Sequence, residues 1–269
     1  MVLSCPEEMD QPVQSSISSR VALLRKRSWA LCRVMWDLGC LLRQPSEARR
    51  FINYVGQFRQ GRCLLEEVEP GNLFPGVWEA PVTLRNANLG DGNVDLLELY
   101  LLSAVVSRIA KPTVFEIGTF DGLTTLHLAM NSDAEARILT LDLPRSQMED
   151  TRFPLSECDR KYVDKPEVGV KYRGSAVEHK ITQLYGDSAV FDYAQFEGQV
   201  DMVFIDRSHQ YEYVMEDSRN AFRMLKRTGG VVLWHDYSAW EGVTKAVDEL
   251  SAERPLRRIK GTTLAVFVS

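Results

Sequence analysis

Residues 111–144, KPTVFEIGTFDGLTTLHLAMNSDAEARILTLDLP, constrain the fold of this chain more than any other stretch. They read as an apolar strand, a glycine-bearing turn, a helix and a second strand ending in an acid. That order builds a nucleotide-type pocket at the carboxyl edge of a parallel sheet. Val114, Phe115 and Ile117 supply the buried strand, and Gly118 and Gly122 remove side chains where backbone is expected to pass close to a ligand. An adenosine-containing cofactor is the expected occupant.

The turn also excludes. A dinucleotide fingerprint, G-x-G-x-x-G, uses its second glycine to bring a pyrophosphate onto a helix N-terminus. Here the turn runs Gly118-Thr119-Phe120-Asp121-Gly122, with a phenylalanine in that glycine's place and the acids Glu116 and Asp121 close by. Such a turn repels a pyrophosphate and favours a cationic cofactor. Asp142 ends the second strand some twenty residues past the turn, followed by Leu143, where an acid accepts hydrogen bonds from ribose hydroxyls.

Further along, the fourth strand ends in Phe204-Ile205-Asp206, with His209 three residues on and Tyr211 beyond it, and the fifth ends in His235-Asp236-Tyr237. Strand ends at a topological switch point are where ligands sit, so these side chains should meet at one sheet edge. Asp206, His235 and Asp236 either bind a divalent cation through oxygen and nitrogen, Mg2+ or another, or orient a substrate by hydrogen bonds. His209 is either a general base, suited by an ordinary pKa near 6.5, or a residue that holds its loop.

The turn resembles the first motif of the class I S-adenosylmethionine-dependent methyltransferases, E/D-x-G-x-x-x-G. The later segments are similar to those of a bacterial small-molecule O-methyltransferase family with FID-x-x-H-x-Y and HDY motifs. The match runs from about Val94 to the C-terminus. It implies S-adenosyl-L-methionine as cofactor, with Glu116 holding the methionine ammonium, Gly118, Thr119, Asp121 and Gly122 forming the turn, Asp142 and Leu143 at the ribose, and Asp187 and Ser188 lining the adenine. It also implies a Rossmann-like, doubly wound α/β fold whose mostly parallel seven-stranded sheet carries an antiparallel C-terminal strand. Arg207 departs from the glycine of the family's FIDG, and either alters substrate choice or points to solvent.

Strands are expected at 113–117, 137–141, 181–185, 200–205 and 231–234, a hairpin at 256–268, and helices at 123–131, 211–225 and 242–253. Val94, Leu97, Leu101, Val105 and Ile109 mark a helical stripe before the first strand. Residues 145–179 break the alternation, being rich in charge and turn formers. A loop of that length inside a domain is either functional, such as a lid, or a mobile excursion. Residues 93–269 therefore read as the cofactor-binding domain. Residues 1–92 read as a helical extension, with helices at 16–43 and 46–60, and a Pro- and Gly-rich linker over 64–92.

With 32 Lys+Arg against 37 Asp+Glu, the net charge of −5 argues against a nucleic-acid footprint over the whole surface and favours a small-molecule acceptor. Five scattered cysteines without a C-x-x-C pair, and a polar start that does not read as a signal peptide, suit a cytoplasmic protein. Charges interrupt 21–42, so no transmembrane span of about 20 apolar residues is expected there. Its amphipathic spacing suits packing on the domain or on a sister subunit in a homo-oligomer, or a membrane surface. The expected activity is O-methylation of a small hydroxyl. The competing readings are a non-catalytic cofactor-binding or scaffold protein, a nicotinamide oxidoreductase, and a nucleic-acid methyltransferase docked through the basic N-terminal helix.

Overall fold

The computed structural model describes residues 63–87 and 90–269, together with Trp36 and Gly39. The helices expected at 16–43 and 46–60 thus lie outside the described residues, those two positions apart. Contacts divide the chain into two units, Met1–Val55 and Gly56–Ser269.

The second unit is built on an eight-stranded sheet: β1 (Glu67–Val68), β2 (Thr113–Ile117), β3 (Arg137–Asp142), β4 (Ile181–Tyr185), β5 (Met202–Ile205), β6 (Val231–Trp234), β7 (Arg257–Ile259) and β8 (Ala265–Val268). Their spatial order is β1-β7-β8-β6-β5-β2-β3-β4. The central strands pair in parallel, and β8 inserts antiparallel between β6 and β7. The chain leaves β2 toward β3 and β4, then returns to β5 and β6 on the other side, so the order reverses between β2 and β5. That reversal is the doubly wound switch point. The register aligns Ile117 with Leu141 and with Ile205, and Ile205 with Trp234, so the carboxyl ends of β2, β3, β5 and β6 stand level.

Among the described residues of this unit, five helices longer than one turn flank the sheet: α1 (Leu96–Val106), α2 (Leu123–Asn131), α3 (Glu157–Val163), α4 (Tyr211–Met224) and α5 (Glu241–Leu250). Side chains alternate across each strand. Phe115, Ile117, Val203, Ile205, Val232 and Trp234 therefore join Val214 and Ala221 of α4 and Val243 and Val247 of α5 in one core. Val114, Ile138, Phe204 and Leu233 join Leu99 and Leu102 of α1 and Leu123 and Leu128 of α2 in another. Both faces being covered explains why β2 and β5 read as unbroken apolar runs except for Glu116.

Three expectations need correction. The sheet has eight strands, not seven, because Glu67–Val68 pairs in parallel with β7 at the edge. Residues 64–92 are more than turns: they hold β1 and a helical turn at Pro70–Leu73, and Val77 is fully buried in the second core. That cover buries α1 almost all round, Ser103 and Ala104 included, so the single stripe expected for it is too narrow. No helix among the described residues is long and apolar enough to cross a membrane.

Gly118 closes β2 with φ +107°, and a Cβ there would stand 2.2 Å from the carbonyl oxygen of Asp206. The end of the neighbouring strand therefore requires a glycine here. Gly118→Ala is expected to destabilise the protein by about 2–4 kcal/mol, because strained φ and a backbone clash coincide. Urea unfolding measures it, and wild-type stability would contradict this role.

Candidate active site

Glu116, one residue from the end of β2, is fully buried between the sheet and α2. Its Oε2 accepts hydrogen bonds from Thr125 Oγ1 and Thr140 Oγ1, both at 2.5 Å, while Oε1 has no partner. Burial pushes its pKa up to about 8, against the hydroxyl bonds that favour the anion. Thr119 belongs to the same knot: its Oγ1 lies 2.7 Å from Thr140 Oγ1 and accepts from Gln183 Nε2.

The turn is held in strained form, Phe120 having φ +50° and Gly122 φ +82°. The Phe120 N–H donates to Asp142 Oδ2 at 2.9 Å and the Leu143 N–H to Oδ1 at 2.8 Å, fixing the carboxylate that ends β3 against the turn. Asp121 accepts from the Leu123 N–H at the start of α2.

Residues 145–179 lie across these groups. Lys165 Nζ sits 2.9 Å from Asp142 Oδ2, with both side chains buried, and Lys171 pairs with Asp121 at 2.7 Å. The Gly169 N–H donates to Phe120 O, and a Cβ on Gly122 would come within 2.9 Å of Gly169 Cα. The Arg152 N–H donates to Asp187 Oδ2, just past β4, and Leu143 is buried with Leu155, Val163 and Tyr213. The segment is therefore packed over the sheet edge. Burial raises the pKa of Asp142 even with Lys165 opposing it.

At the ends of β5 and β6, two histidines are each gripped by carboxylates. His235 Nδ1 lies 3.0 Å from Asp206 Oδ1 and 3.3 Å from Asp236 Oδ2, and its Nε2 lies 3.0 Å from Glu98 Oε2. His209 Nδ1 bonds Asp159 Oδ1, and Nε2 bonds Asp236 Oδ2 at 3.0 Å. Burial alone would lower the pKa of each ring. The carboxylates outweigh it, taking His209 up to about 10 and His235 well above the usual value, so both are imidazolium at neutral pH. Conversely, His235 and His209 hold Asp236 well below the ordinary carboxylate range despite its burial. One oxygen of Asp206, one of Asp236 and one nitrogen of His235 lie within 4.8 Å of one another, a spacing open to a shared cation. The ring of His209 stacks on Trp240, centroids 4.1 Å apart.

Residues 115–237 match the family model described as a methyltransferase domain. The match marks this stretch as methyltransferase-like. The chain is also similar to the O-methyltransferase TomG of Streptomyces achromogenes, involved in tomaymycin synthesis and solved with SAM: 17% identity over 77% of this chain and 92% of that one, TM-score 0.46. An O-methyltransferase of Bacillus cereus solved with SAH gives 18% identity, 68% and 86% coverage and TM-score 0.47. SAH-bound PaMTH1 of Podospora anserina gives 16%, 65%, 79% and 0.45. No curated protein matches the chain significantly.

Sequence reading missed three residues of this candidate site. Glu98 caps α1 in a reciprocal box with Asp95 while its carboxylate reaches His235, and the Asp-x-x-Glu spacing ahead of an apolar run would have revealed the cap. Asp159 and Lys165 lie in the charged excursion, where nothing in the spacing sets them apart. His127 is buried away from this site, where it bonds Leu123 O and the Arg85 N–H.

Between pH 4.5 and about 8 an unfolded chain loses the Glu116 proton while the folded protein keeps it, so this group makes stability fall as pH rises through that window. Glu116→Gln should flatten the decline, read by urea unfolding from pH 5 to 9. Parallel profiles for variant and wild type would show the acid ionised in the fold.

Proposed function

We propose that the enzyme transfers a methyl group from S-adenosyl-L-methionine to the hydroxyl of a small molecule, with a divalent cation such as Mg2+ held by Asp206 and Asp236 and by His235, whose Nδ1 proton the cation would displace. The carrying observation is the convergence of His209, His235, Asp206 and Asp236 at level strand ends beside the acidic turn.

The residues suit the cofactor. Glu116 Oε1 is a buried acceptor with no partner, fit for an ammonium. Asp142 is held by two backbone N–H groups in the posture that takes ribose hydroxyls, which would replace Lys165. Asp187 and Ser188 take the adenine. When bound, the cofactor supplies a methyl group already activated by the positive charge on sulfur.

The acceptor hydroxyl gives its proton to His209 Nε2 as its oxygen bonds the methyl carbon in line, the C–S electron pair passing to sulfur. A cation would supply Lewis-acid polarisation of that oxygen. His209 becomes a base only when Asp236 turns away from it, because two flanking carboxylates keep the ring protonated. A cation held by Asp236 would favour that release, the ring's Nε2 proton passing to solvent before the acceptor binds. Most of the acceleration is positioning. In this reading residues 93–269 carry the catalytic groups, β1 and the segment around Val77 complete their sheet and core, and the residues N-terminal to these join copies of the chain.

Calorimetry should show binding of S-adenosylmethionine and S-adenosylhomocysteine and none of NAD; the reverse pattern would refute the class. Lys165→Met, which frees Asp142, should tighten S-adenosylhomocysteine binding about tenfold. Across a panel of small hydroxylated acceptors, His209→Ala should cut turnover by about 10²–10⁴ with cofactor affinity kept. Asp206→Asn and a chelator should each abolish transfer if the cation takes part. Full activity in both variants would remove the mechanism.

A further inference from the structure

Among the described residues, twelve buried side-chain nitrogen and oxygen atoms lack a hydrogen-bond partner, and six of them belong to one spot: Arg207 Nε, Nη1 and Nη2, both oxygens of Asp217, and Ser188 Oγ. The Arg207 side chain is only 4% exposed, so it does not point to solvent. Its guanidinium lies 4.3 Å above the Tyr213 ring, and Nη2 stands 3.5 Å from Asp187 Oδ1, too long for a hydrogen bond. Burying a guanidinium with its donors unmet is costly, and natural structures leave such groups only where something else completes them.

The neighbours say what completes it. Asp187 and Ser188 follow β4, Arg207 follows Asp206 on β5, and Asp142, whose charge Arg207 also feels, ends β3 between them and the turn. Asp187 is acceptor-only and is steadied by the Arg152 and Ala189 N–H groups. Arg207 beside it is donor-only. An acceptor next to a donor complements the adenine edge, where the N6 amine donates and an adjacent ring nitrogen accepts.

We infer that Arg207 is a specificity-determining residue for the cofactor's base, donating to a ring nitrogen of adenine while Asp187 accepts from N6. This rests on the methyltransferase reading above. It explains why a bulky cation replaces the glycine expected after Asp206: the site reads the base by charge-assisted hydrogen bonds as well as by shape. Tyr213 holds the guanidinium plane, and Asp217 opposes its charge from within the core. No proton or bond changes hands in this role.

The test is calorimetric and independent of turnover. Wild-type protein is titrated with S-adenosylhomocysteine and with its 1-deaza and 7-deaza analogues, each lacking one ring nitrogen, and the series is repeated with Arg207→Met, which retains bulk over Tyr213. Wild type should bind one deaza analogue about tenfold or more weakly than the parent. Arg207→Met should bind the parent as weakly as that analogue and no longer discriminate. Equal wild-type affinity for all three compounds would overturn the inference, and so would an Arg207→Met variant that binds and discriminates like wild type. Should that variant fail to fold, the wild-type series still decides. If wild type binds no S-adenosylhomocysteine at all, the methyltransferase reading itself has failed.

Discussion

The structure depends on how carboxylates are accommodated where four parallel strands end level. Glu116, Asp142, Asp206 and Asp236 crowd one water-poor edge, and a buried anion is tolerated only if it is neutralised or well bonded. Each finds its own answer. Glu116 keeps a proton, Asp142 takes Lys165 and two N–H groups, and Asp206 and Asp236 share the two imidazolium rings. The edge proposed to receive a cationic methyl donor is thus already balanced by cations of the chain's own.

Much of this was legible in the sequence, and the reason is physical. Strands β2, β4 and β6 and helix α2 lie at their expected bounds because apolar runs flanked by Gly, Pro and Asp leave little choice of register. The acids at strand ends could be placed because a parallel sheet sends every carboxyl end the same way. What stayed hidden was set by contacts distant in sequence. β1 exists only because β7, some 190 residues on, offers it a partner, and α1 is buried all round only because 64–92 folds over it.

The candidate site divides in the same way. Its residues were readable as types at positions, but their partners were not. Nothing local tells that Asp159 will hold His209, that Glu98 will hold His235, or that Arg207 will turn inward onto Tyr213. Those contacts decide charge states: the flanking carboxylates raise the pKa of both rings, which unpaired histidines would lack. The glycine turn teaches a related lesson. Gly118 was identifiable as obligatory, but the crowding by the Asp206 carbonyl could not be read from the sequence.

One feature of the excursion ties the two ends of the cleft together. Asp159 lies within α3 and Lys165 stands two residues past its end, so the tether on His209 and the tether on Asp142 sit on one short rod. Any shift of that rod acts on both grips at once, which makes the imidazole and the β3 carboxylate joint tenants of a single support.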